Sequence, residues 1–211
     1  IRMGEDERHV YVVGSPAIDE IETVLQMSDA EAGKLGHPDT LLLMHPIGRT
    51  DAEEFRDAAV VIDGLRRNVT RRILALEPNH DPGREGVMEA LRQSGVRVVS
   101  HLERRDFIGL LRRVAVLAGN SSAGLIEAAA VGCPVVNIGP RQSGRYAPPN
   151  VVTVPEPRVE AVDLAVRQAS RLRAASPSHP YGPGEAGGRT ARTLARIDPH
   201  APSLLRKRNS Y

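Results

Sequence analysis

Small, hydroxyl-bearing residues fill one turn of the chain, AGNSSAG at residues 118–124, between an expected strand and an expected helix. The N–H groups and the positive dipole end at the start of a helix attract anions such as a pyrophosphate. The hydroxyls of Ser121 and Ser122 could add two more donors. One serine could instead only cap the helix. The turn matches neither G-x-G-x-x-G nor G-x-x-x-x-G-K, so its pattern leaves both interpretations open.

Two charged side chains near this turn could complete a nucleotide site. Glu127 stands among the alanines at 128–130, and a carboxylate on such a small-residue surface needs a partner, for which both ribose hydroxyls are candidates. Arg141 follows an expected strand in a glycine-containing loop that also carries Arg145. Guanidinium groups match phosphate oxygens with paired donors. The alternatives are a solvent-facing glutamate and a mobile, solvated loop.

Polar side chains also follow two other apolar runs. His45 comes directly after residues 41–44, and Asn79 follows residues 73–76. A histidine at the carboxyl end of a strand can hold a substrate oxygen or tune local charge, although a lone one often only closes the sheet. The acids of the same region are scattered and show no pairing: Asp81, Glu103 and Asp106. The chain is therefore equipped to hold a nucleotide but lacks a convincing general base.

Short β-branched runs alternate with amphipathic stretches along the chain, and Gly, Pro and Ser accumulate at residues 174–188. We predict strands at 10–13, 41–44, 73–76, 96–99, 114–118, 135–138 and 151–154. We predict helices at 16–27, 51–68, 83–94, 105–113, 122–131, 158–173 and 189–197, with a turn-rich link at 33–38. This alternation indicates βαβ units and a doubly wound, parallel, Rossmann-like α/β sheet whose ligands bind outside the carboxyl ends of the strands.

We expect three segments: a linker at 1–38, the Rossmann-like domain at 39–173, and a Pro/Gly-rich linker with a helix and tail at 174–211. Composition excludes several function classes. The formal net charge is only +2, and two Phe, four Tyr and no Trp offer few rings for base stacking, so nucleic-acid binding is not expected. No run is long enough to cross a bilayer and no signal peptide opens the chain. Its one cysteine, Cys133, excludes a disulfide framework, and we expect a cytoplasmic protein.

Three motifs together are typical of one enzyme family: GNSSAGLIE at 119–127, GCPVVNIG at 132–139 and RQSGR at 141–145. They closely resemble the UDP-N-acetylglucosamine 2-epimerase family, and within it the hydrolysing branch that supplies sialic-acid-type sugars. VGSPAID at 13–19 resembles the segment that leads into the second domain of that family. The resemblance covers nearly the whole chain and implies the second, C-terminal half of a GT-B-type fold of two Rossmann-like domains.

The resemblance also implies roles for individual residues. Ser121, Ser122 and Arg141 would hold the diphosphate, Glu127 the ribose, and the backbone of Leu102 the uracil. His45 and Asn79 would line the cleft near the phosphates and the sugar, with His45 in a supporting catalytic role.

The family reaction removes the C2 proton and expels UDP to leave a glycal, to which water adds. Its acid–base carboxylates belong to the first half, which lies outside these 211 residues. The resemblance thus implies that this chain alone binds UDP weakly and turns over nothing. It also implies that no metal or cofactor is used, that the N-terminal domain is a partner, and that the complete protein can form a homo-oligomer. Pro140, Pro183 and Glu185 depart from the family pattern, which leaves the exact UDP-sugar open.

Three alternatives remain at this level. A donor-binding half of a GT-B glycosyltransferase would use the same serine turn and the same ribose-binding glutamate. A non-hydrolysing UDP-N-acetylglucosamine 2-epimerase would share the fold, although its serine/glycine turn differs. A stand-alone UDP-sugar sensor would need no catalytic residues at all.

Overall fold

A computed structural model describes residues 6–67, 72–173 and 178–205. The chain divides into two compact units. One spans Ile21–His179, and the other is formed by the segments Ile1–Glu20 and Pro180–Tyr211. None of the helices in the described part of the chain has the length and apolar character that crossing a membrane requires.

The larger unit contains a six-stranded, fully parallel sheet. Its strands are β1 (Thr40–Leu43), β2 (Ile73–Leu76), β3 (Arg97–Val99), β4 (Val116–Gly119), β5 (Val135–Ile138) and β6 (Val151–Val154). Its helices are α1 (Asp29–Lys34), α2 (Asp51–Arg66), α3 (Arg84–Ser94), α4 (Arg104–Arg113), α5 (Glu127–Ala130) and α6 (Val159–Ala169). The strand order β3-β2-β1-β4-β5-β6 is that of a doubly wound Rossmann-like domain, which confirms the predicted fold class.

The strands are apolar at successive positions because helices cover both faces of the sheet. Leu42, Ala118 and Val136 belong to the core cluster formed with α2, α3 and α6. Their neighbours along the strands point to the opposite face, where Val135 lies against the turn that contains Gly124. Continuous burial of this kind is typical of parallel strands.

Local signals fix the helix that follows β1. Thr50 caps α2, and Thr50 and Glu53 form a capping box in which each side chain bonds to the backbone of the other. Helix α3 ends as predicted at Gly95, whose backbone is left-handed. The Thr50 cap sets where the loop after β1 ends, and Gly95 sets where the loop before β3 begins.

Several predictions for the first forty residues are wrong. Residues 10–13 form no strand, and Val12 is 91% exposed, because no described strand pairs with them. The helix expected at 16–27 is replaced by two 3-10 turns, Pro16–Ile18 and Ile21–Thr23, since the left-handed backbone of Glu20 interrupts the segment. Helix α1 occupies part of the expected link, and its missed signal is a capping box between Ser28 and Glu31.

The helix expected at 122–131 is also wrong. A 3-10 turn, Ser122–Gly124, comes first, and α5 begins only at Glu127. Ile126 between them has φ −105° and ψ −75°, which interrupts the helical path. A four-residue helix cannot carry the macrodipole that a ten-residue helix would, so the anion-binding argument must rest on individual donors.

The smaller unit brings the VGSPAID segment at 13–19 into contact with residues 186 and 187. Its helices are α7 (Ala186–Leu194), where a helix at 189–197 was expected, and α8 (Pro202–Leu205). The carboxylate of Asp19 accepts the backbone N–H groups of Ala186 and Gly187, both at 2.7 Å. GPGEAG at 182–187 spells G-x-G-x-x-G, but it follows no described strand and Asp19 already occupies the helix start. The described residues of this unit therefore form no dinucleotide-binding turn.

We predict that Gly119→Ala destabilises the chain by about 3 kcal/mol or more. Gly119 has φ +136°, and a Cβ there would lie 2.0 Å from the carbonyl oxygen of Leu43 on the neighbouring strand. Gly95→Ala is the matched control, since Gly95 also has a positive φ but its Cβ would meet nothing within 4 Å. Its cost should be about 1 to 2 kcal/mol. Urea denaturation measures both free energies of unfolding, and equal losses would contradict the close approach of β1 and β4.

Candidate functional site

The reversal of strand order at β1 and β4 creates a crevice at the carboxyl edge of the sheet. From β1 the chain continues to β2 on one side, and from β4 it continues to β5 on the other side. The two loops therefore diverge and leave room for a ligand between them. His45 follows β1, and Asn120 and Ser121 follow β4, so the predicted candidates lie at this point.

Asn120 joins the two loops by paired hydrogen bonds. Its Oδ1 accepts the backbone N–H of His45 at 2.7 Å, and its Nδ2 donates to the His45 carbonyl oxygen at 2.7 Å. Its own backbone N–H donates to the carbonyl oxygen of Leu43. Asn120 is 4% exposed, so both ends of the amide are satisfied inside the protein.

The carbonyl oxygen of Asn120 holds the loop that follows β5. It accepts a hydrogen bond from Gln142 Nε2 at 2.7 Å and another from an Arg141 guanidinium nitrogen at 3.3 Å. Arg141 is otherwise exposed, whereas Gln142 is buried. Three loops that are distant in sequence are thus connected through one residue, and Arg141 is brought close to His45.

The imidazole of His45 is held in its neutral form. Its Nδ1 accepts the backbone N–H of Asn79 at 3.1 Å, so the proton of the neutral ring lies on Nε2. Burial lowers the pKa of His45, and the positive charge of Arg141 lowers it further, while Asp81 acts in the opposite direction. The ring therefore presents an N–H donor at neutral pH.

Asn79 reaches the same edge from the loop after β2. Its Nδ2 donates to Asp81 Oδ2 at 2.5 Å. Its Oδ1 is buried and has no hydrogen-bond partner among the described residues. A donor from a ligand or a water molecule would satisfy this oxygen.

The two serines differ in their local roles. Ser121 Oγ accepts the N–H of Ala123 at 3.4 Å, so the capping interpretation holds for this serine, although its hydroxyl proton remains available for donation. Ser122 is the first residue of the 3-10 turn and is half-buried. The N–H groups of Ala123 and Gly124 already donate to Ser121, so the first backbone N–H that the turn can offer a ligand is that of Ser122. The turn therefore offers hydroxyl and backbone donors even without a long helix behind it.

A second group of predicted residues lies around the start of α4. Leu102 is half-buried in the segment between β3 and α4, and Arg104 is the first residue of that helix. Helix α4 packs against α5, whose first residue is Glu127. Burial raises the pKa of Glu127, and the charge of Arg104 partly opposes that effect. A carboxylate that has lost water in this way is stabilised by new hydroxyl donors.

A cavity of about 490 Å³ opens beside Arg141 at the ends of β1, β2 and β5. Its lining is largely apolar: Pro46, Ile47, Gly48, Asp81, Pro82, Pro140 and Arg141. The wall is fixed by Glu54, a 2% exposed carboxylate on α2 that accepts the N–H groups of Ile47 at 2.7 Å and Arg49 at 3.2 Å. Within the described ranges, no group of three or more His, Cys, Asp or Glu side chains could hold a metal ion.

Three residues of this site were missed from the sequence: Asn120, Gln142 and Glu54. Glu54 could have been found, because it shares the helical face of Ala58, Val61 and Leu65, where a charged residue demands a buried partner. Asn120 and Gln142 lie inside motifs that were noted, but their partners are set by strand order. Sequence spacing contains no direct signal for those contacts.

We predict that Arg141→Gln raises the pKa of His45 toward its ordinary value of 6.5. Because folding lowers this pKa, the unfolded chain binds the proton more readily below about pH 6.5, and stability decreases as the pH falls through that window. The His45 ring resonances in an NMR titration measure the midpoint. Arg145→Gln is the control and should leave it unchanged. An unaltered midpoint in Arg141→Gln would contradict the prediction that the charge of Arg141 lowers the pKa of His45.

Comparison with known proteins identifies the family. A sequence profile of the UDP-N-acetylglucosamine 2-epimerase family matches residues 1–195. The UDP-N,N'-diacetylbacillosamine 2-epimerase (hydrolyzing) of Legionella pneumophila is 35% identical over 221 residues, covering 100% of this chain and 58% of the relative. A UDP-N-acetylglucosamine 2-epimerase of Neisseria meningitidis is 27% identical over 179 residues, covering 82% of this chain and 47% of the relative. The chain thus spans about half the length of the curated relatives it matches.

Solved structures share the fold. The Neisseria meningitidis UDP-GlcNAc 2-epimerase bound to UDP-GlcNAc has a TM-score of 0.72 at 18% identity, covering 93% of this chain and 58% of that one. The Methanocaldococcus jannaschii enzyme in complex with UDP-GlcNAc and UDP has a TM-score of 0.71 at 17% identity, covering 93% and 57%. These neighbours have the GT-B-type architecture, which confirms the predicted fold. With the profile matching almost the entire sequence, the chain belongs to the UDP-N-acetylglucosamine 2-epimerase family.

Proposed function

We propose that this chain is the UDP-binding, C-terminal half of a hydrolysing UDP-sugar 2-epimerase, which converts a UDP-2-acetamido sugar and water into the free 2-epimeric sugar and UDP. The observation that carries the proposal is the Asn120 junction. It holds His45, Arg141 and the serine turn together at the crevice between β1 and β4. Membership of the family supports the same conclusion.

The diphosphate would bind between the serine turn and Arg141. The hydroxyls of Ser121 and Ser122 and the backbone N–H of Ser122 supply neutral donors. The guanidinium group of Arg141 supplies a charge-assisted donor. The Nε2–H of His45 would reach the same group of oxygens, since its Nδ1 is already engaged by Asn79. This set suits an anion with several oxygens better than a single carboxylate.

The nucleoside would extend toward the start of α4. The Glu127 carboxylate would accept both ribose hydroxyls, which would replace the water that burial has removed from it. The backbone of Leu102 would contact the uracil. The remaining length seen in the relatives would close the cleft over the sugar and contribute the acid–base carboxylates.

In the proposed reaction, this half supports the departure of UDP. A carboxylate from the other half removes the C2 proton as the C1–oxygen bond breaks, and the bonding electrons stay on the diphosphate. Arg141 and the serine donors stabilise that developing negative charge. The neutral His45 ring adds a hydrogen bond from Nε2 and does not itself gain or lose a proton. Water then adds to the glycal to give the free epimer.

Two sugars are candidates for the substrate. A relative of this chain acts, by its name, on UDP-N,N'-diacetylbacillosamine, at 35% identity. The cavity beside Arg141 favours such a sugar over UDP-N-acetylglucosamine, because three prolines and Ile47 offer an apolar wall. An apolar wall contributes more to binding a methyl or acetamido substituent than a free hydroxyl. A product for sialic-acid-type sugars would follow from either substrate class.

The direct test incubates the intact gene product with each UDP-sugar in D2O and follows the products by proton NMR. We expect free UDP together with the free 2-epimeric sugar, deuterated at C2, without any acceptor. Arg141→Ala should slow release at least tenfold, whereas Arg167→Ala, an exposed arginine on α6, should not. The 211-residue chain alone should bind UDP without turnover. Acceptor-dependent release would indicate a glycosyltransferase, and an epimer still linked to UDP would indicate the non-hydrolysing reaction.

A further inference from the structure

A second, smaller cavity lies on the other side of the loop that carries Arg141. It has a volume of about 250 Å³ and is bounded by the 3-10 turn after β4, the strands β5 and β6, and the loop at 139–147. This volume is below the range of sites for drug-sized ligands and suits one small molecule. Of its polar residues, only Gln142 also takes part in the candidate site, through its bond to the Asn120 carbonyl oxygen.

Asn137 is an unusual residue for the position that it occupies. It lies in β5 between Val136 and Ile138, is 7% exposed, and lines the cavity. Its side-chain amide makes no hydrogen bond to any residue in the described part of the chain, and its polar atoms are not among the fully buried unpaired ones, so solvent in the cavity reaches them. The Asn137 amide thus faces the cavity and is free to bind whatever fills it, water or a ligand.

Gln142 supplies a second unsatisfied group to the same cavity. Its Nε2 is bound to the carbonyl oxygen of Asn120, which fixes the orientation of the side chain. Its Oε1 is buried and finds no partner within the described residues. The residue is 5% exposed and lines this cavity. One wall of the cavity therefore carries a buried, unpaired oxygen of Gln142 and, in the described part of the chain, an accessible amide of Asn137 that has no protein partner.

The other lining residues indicate the class of ligand. Thr153, the register partner of Asn137 on β6, and Ser143 bring hydroxyl groups. Leu125 and Pro155 supply apolar surface, and the exposed Arg145 is the one charged residue of the lining. Amide and hydroxyl groups that both donate and accept, set against an apolar surface, match the hydroxyl groups and C–H faces of a sugar ring.

We infer that this cavity is a binding site for one free monosaccharide in its pyranose form, separate from the UDP-sugar site. Asn137 and Gln142 Oε1 bind its hydroxyl groups, and Leu125 and Pro155 pack against the ring. The guanidinium group of Arg145 at the rim can pair with a carboxylate, so the site accepts an acidic sugar as well as a neutral one. Water is the competing occupant, since a cavity of this size has room for several molecules at about 30 Å³ each.

Titration of the 211-residue chain with monosaccharides tests the site directly. N-acetylmannosamine, N-acetylglucosamine and glucuronate are added in turn while NMR follows the side-chain amide signals of Asn137 and Gln142. We expect saturable shifts in the millimolar range with at least one sugar. A response to glucuronate and to neither of the other sugars would indicate that Arg145 binds the carboxylate. Unchanged or linearly drifting signals with all three sugars would overturn the inference and leave water as the occupant. A parallel UDP titration reports on the proposed function independently.

The melting temperature provides a second readout. Replacing an asparagine that only stabilises the fold would lower it, whereas replacing Asn137 should not. Asn137→Leu removes an amide that has no protein partner among the described residues, so we expect a melting temperature equal to or above that of the parent chain, together with loss of the sugar-dependent shifts. Asn150→Leu is the matched control, because the equally buried Asn150 donates to the Cys133 carbonyl oxygen at 2.5 Å. It should lower the melting temperature by about 4 °C or more. A comparable loss in Asn137→Leu would contradict the assignment.

Discussion

The paired hydrogen bonds between Asn120 and the backbone of His45 are the constraint on which the carboxyl edge of the sheet depends. They fix the distance between two loops that strand order sends in opposite directions. The same residue offers its carbonyl oxygen to Arg141 and Gln142, so the loop after β5 is positioned by the same contact. The guanidinium group of Arg141, the neutral ring of His45 and the serine turn therefore lie in one crevice. Hydrogen bonds made by Asn120, rather than a long helix, hold them there.

This arrangement requires that the backbones of β1 and β4 come close together. It also requires that the buried polar groups of the loops find hydrogen-bond partners. Gly119 lets β4 come within contact of the Leu43 carbonyl group, which places Asn120 at hydrogen-bonding distance from His45. On the other side of the crevice, Glu54 takes the free N–H groups of the loop after β1, and its side chain packs at Gly83 before α3. Because these groups are buried and paired, the edge is preorganised, and a ligand need not order it on binding.

Local pattern was sufficient to predict most of the sheet, because the strands of the larger unit are apolar on both faces and separated by clear helix caps. It failed where a nonlocal contact decides the structure. The alanine-rich segment after Ser122 has strong helix propensity, yet the chain first forms a 3-10 turn and buries Leu125, and the backbone of Ile126 interrupts the helical path. Residues 10–13 have strand propensity but no described partner. The sequence could place His45, Asn79, Ser121, Ser122 and Arg141 at the carboxyl edge of the sheet because they follow strands, and their role in binding stays a prediction. The junction itself was not found, because its partners lie 75 and 22 positions apart in the sequence.

The central claim is that the serine turn and Arg141 grip a diphosphate at the crevice between β1 and β4. Calorimetric titration of the chain with UDP measures it most directly. Ser122→Ala and Arg141→Ala should each weaken binding, with about 1 to 3 kcal/mol lost for the arginine on the scale of charge-assisted hydrogen bonds. Arg167→Ala should bind UDP as the parent chain does. Unchanged affinity in both site variants would contradict the account and place the diphosphate on another loop.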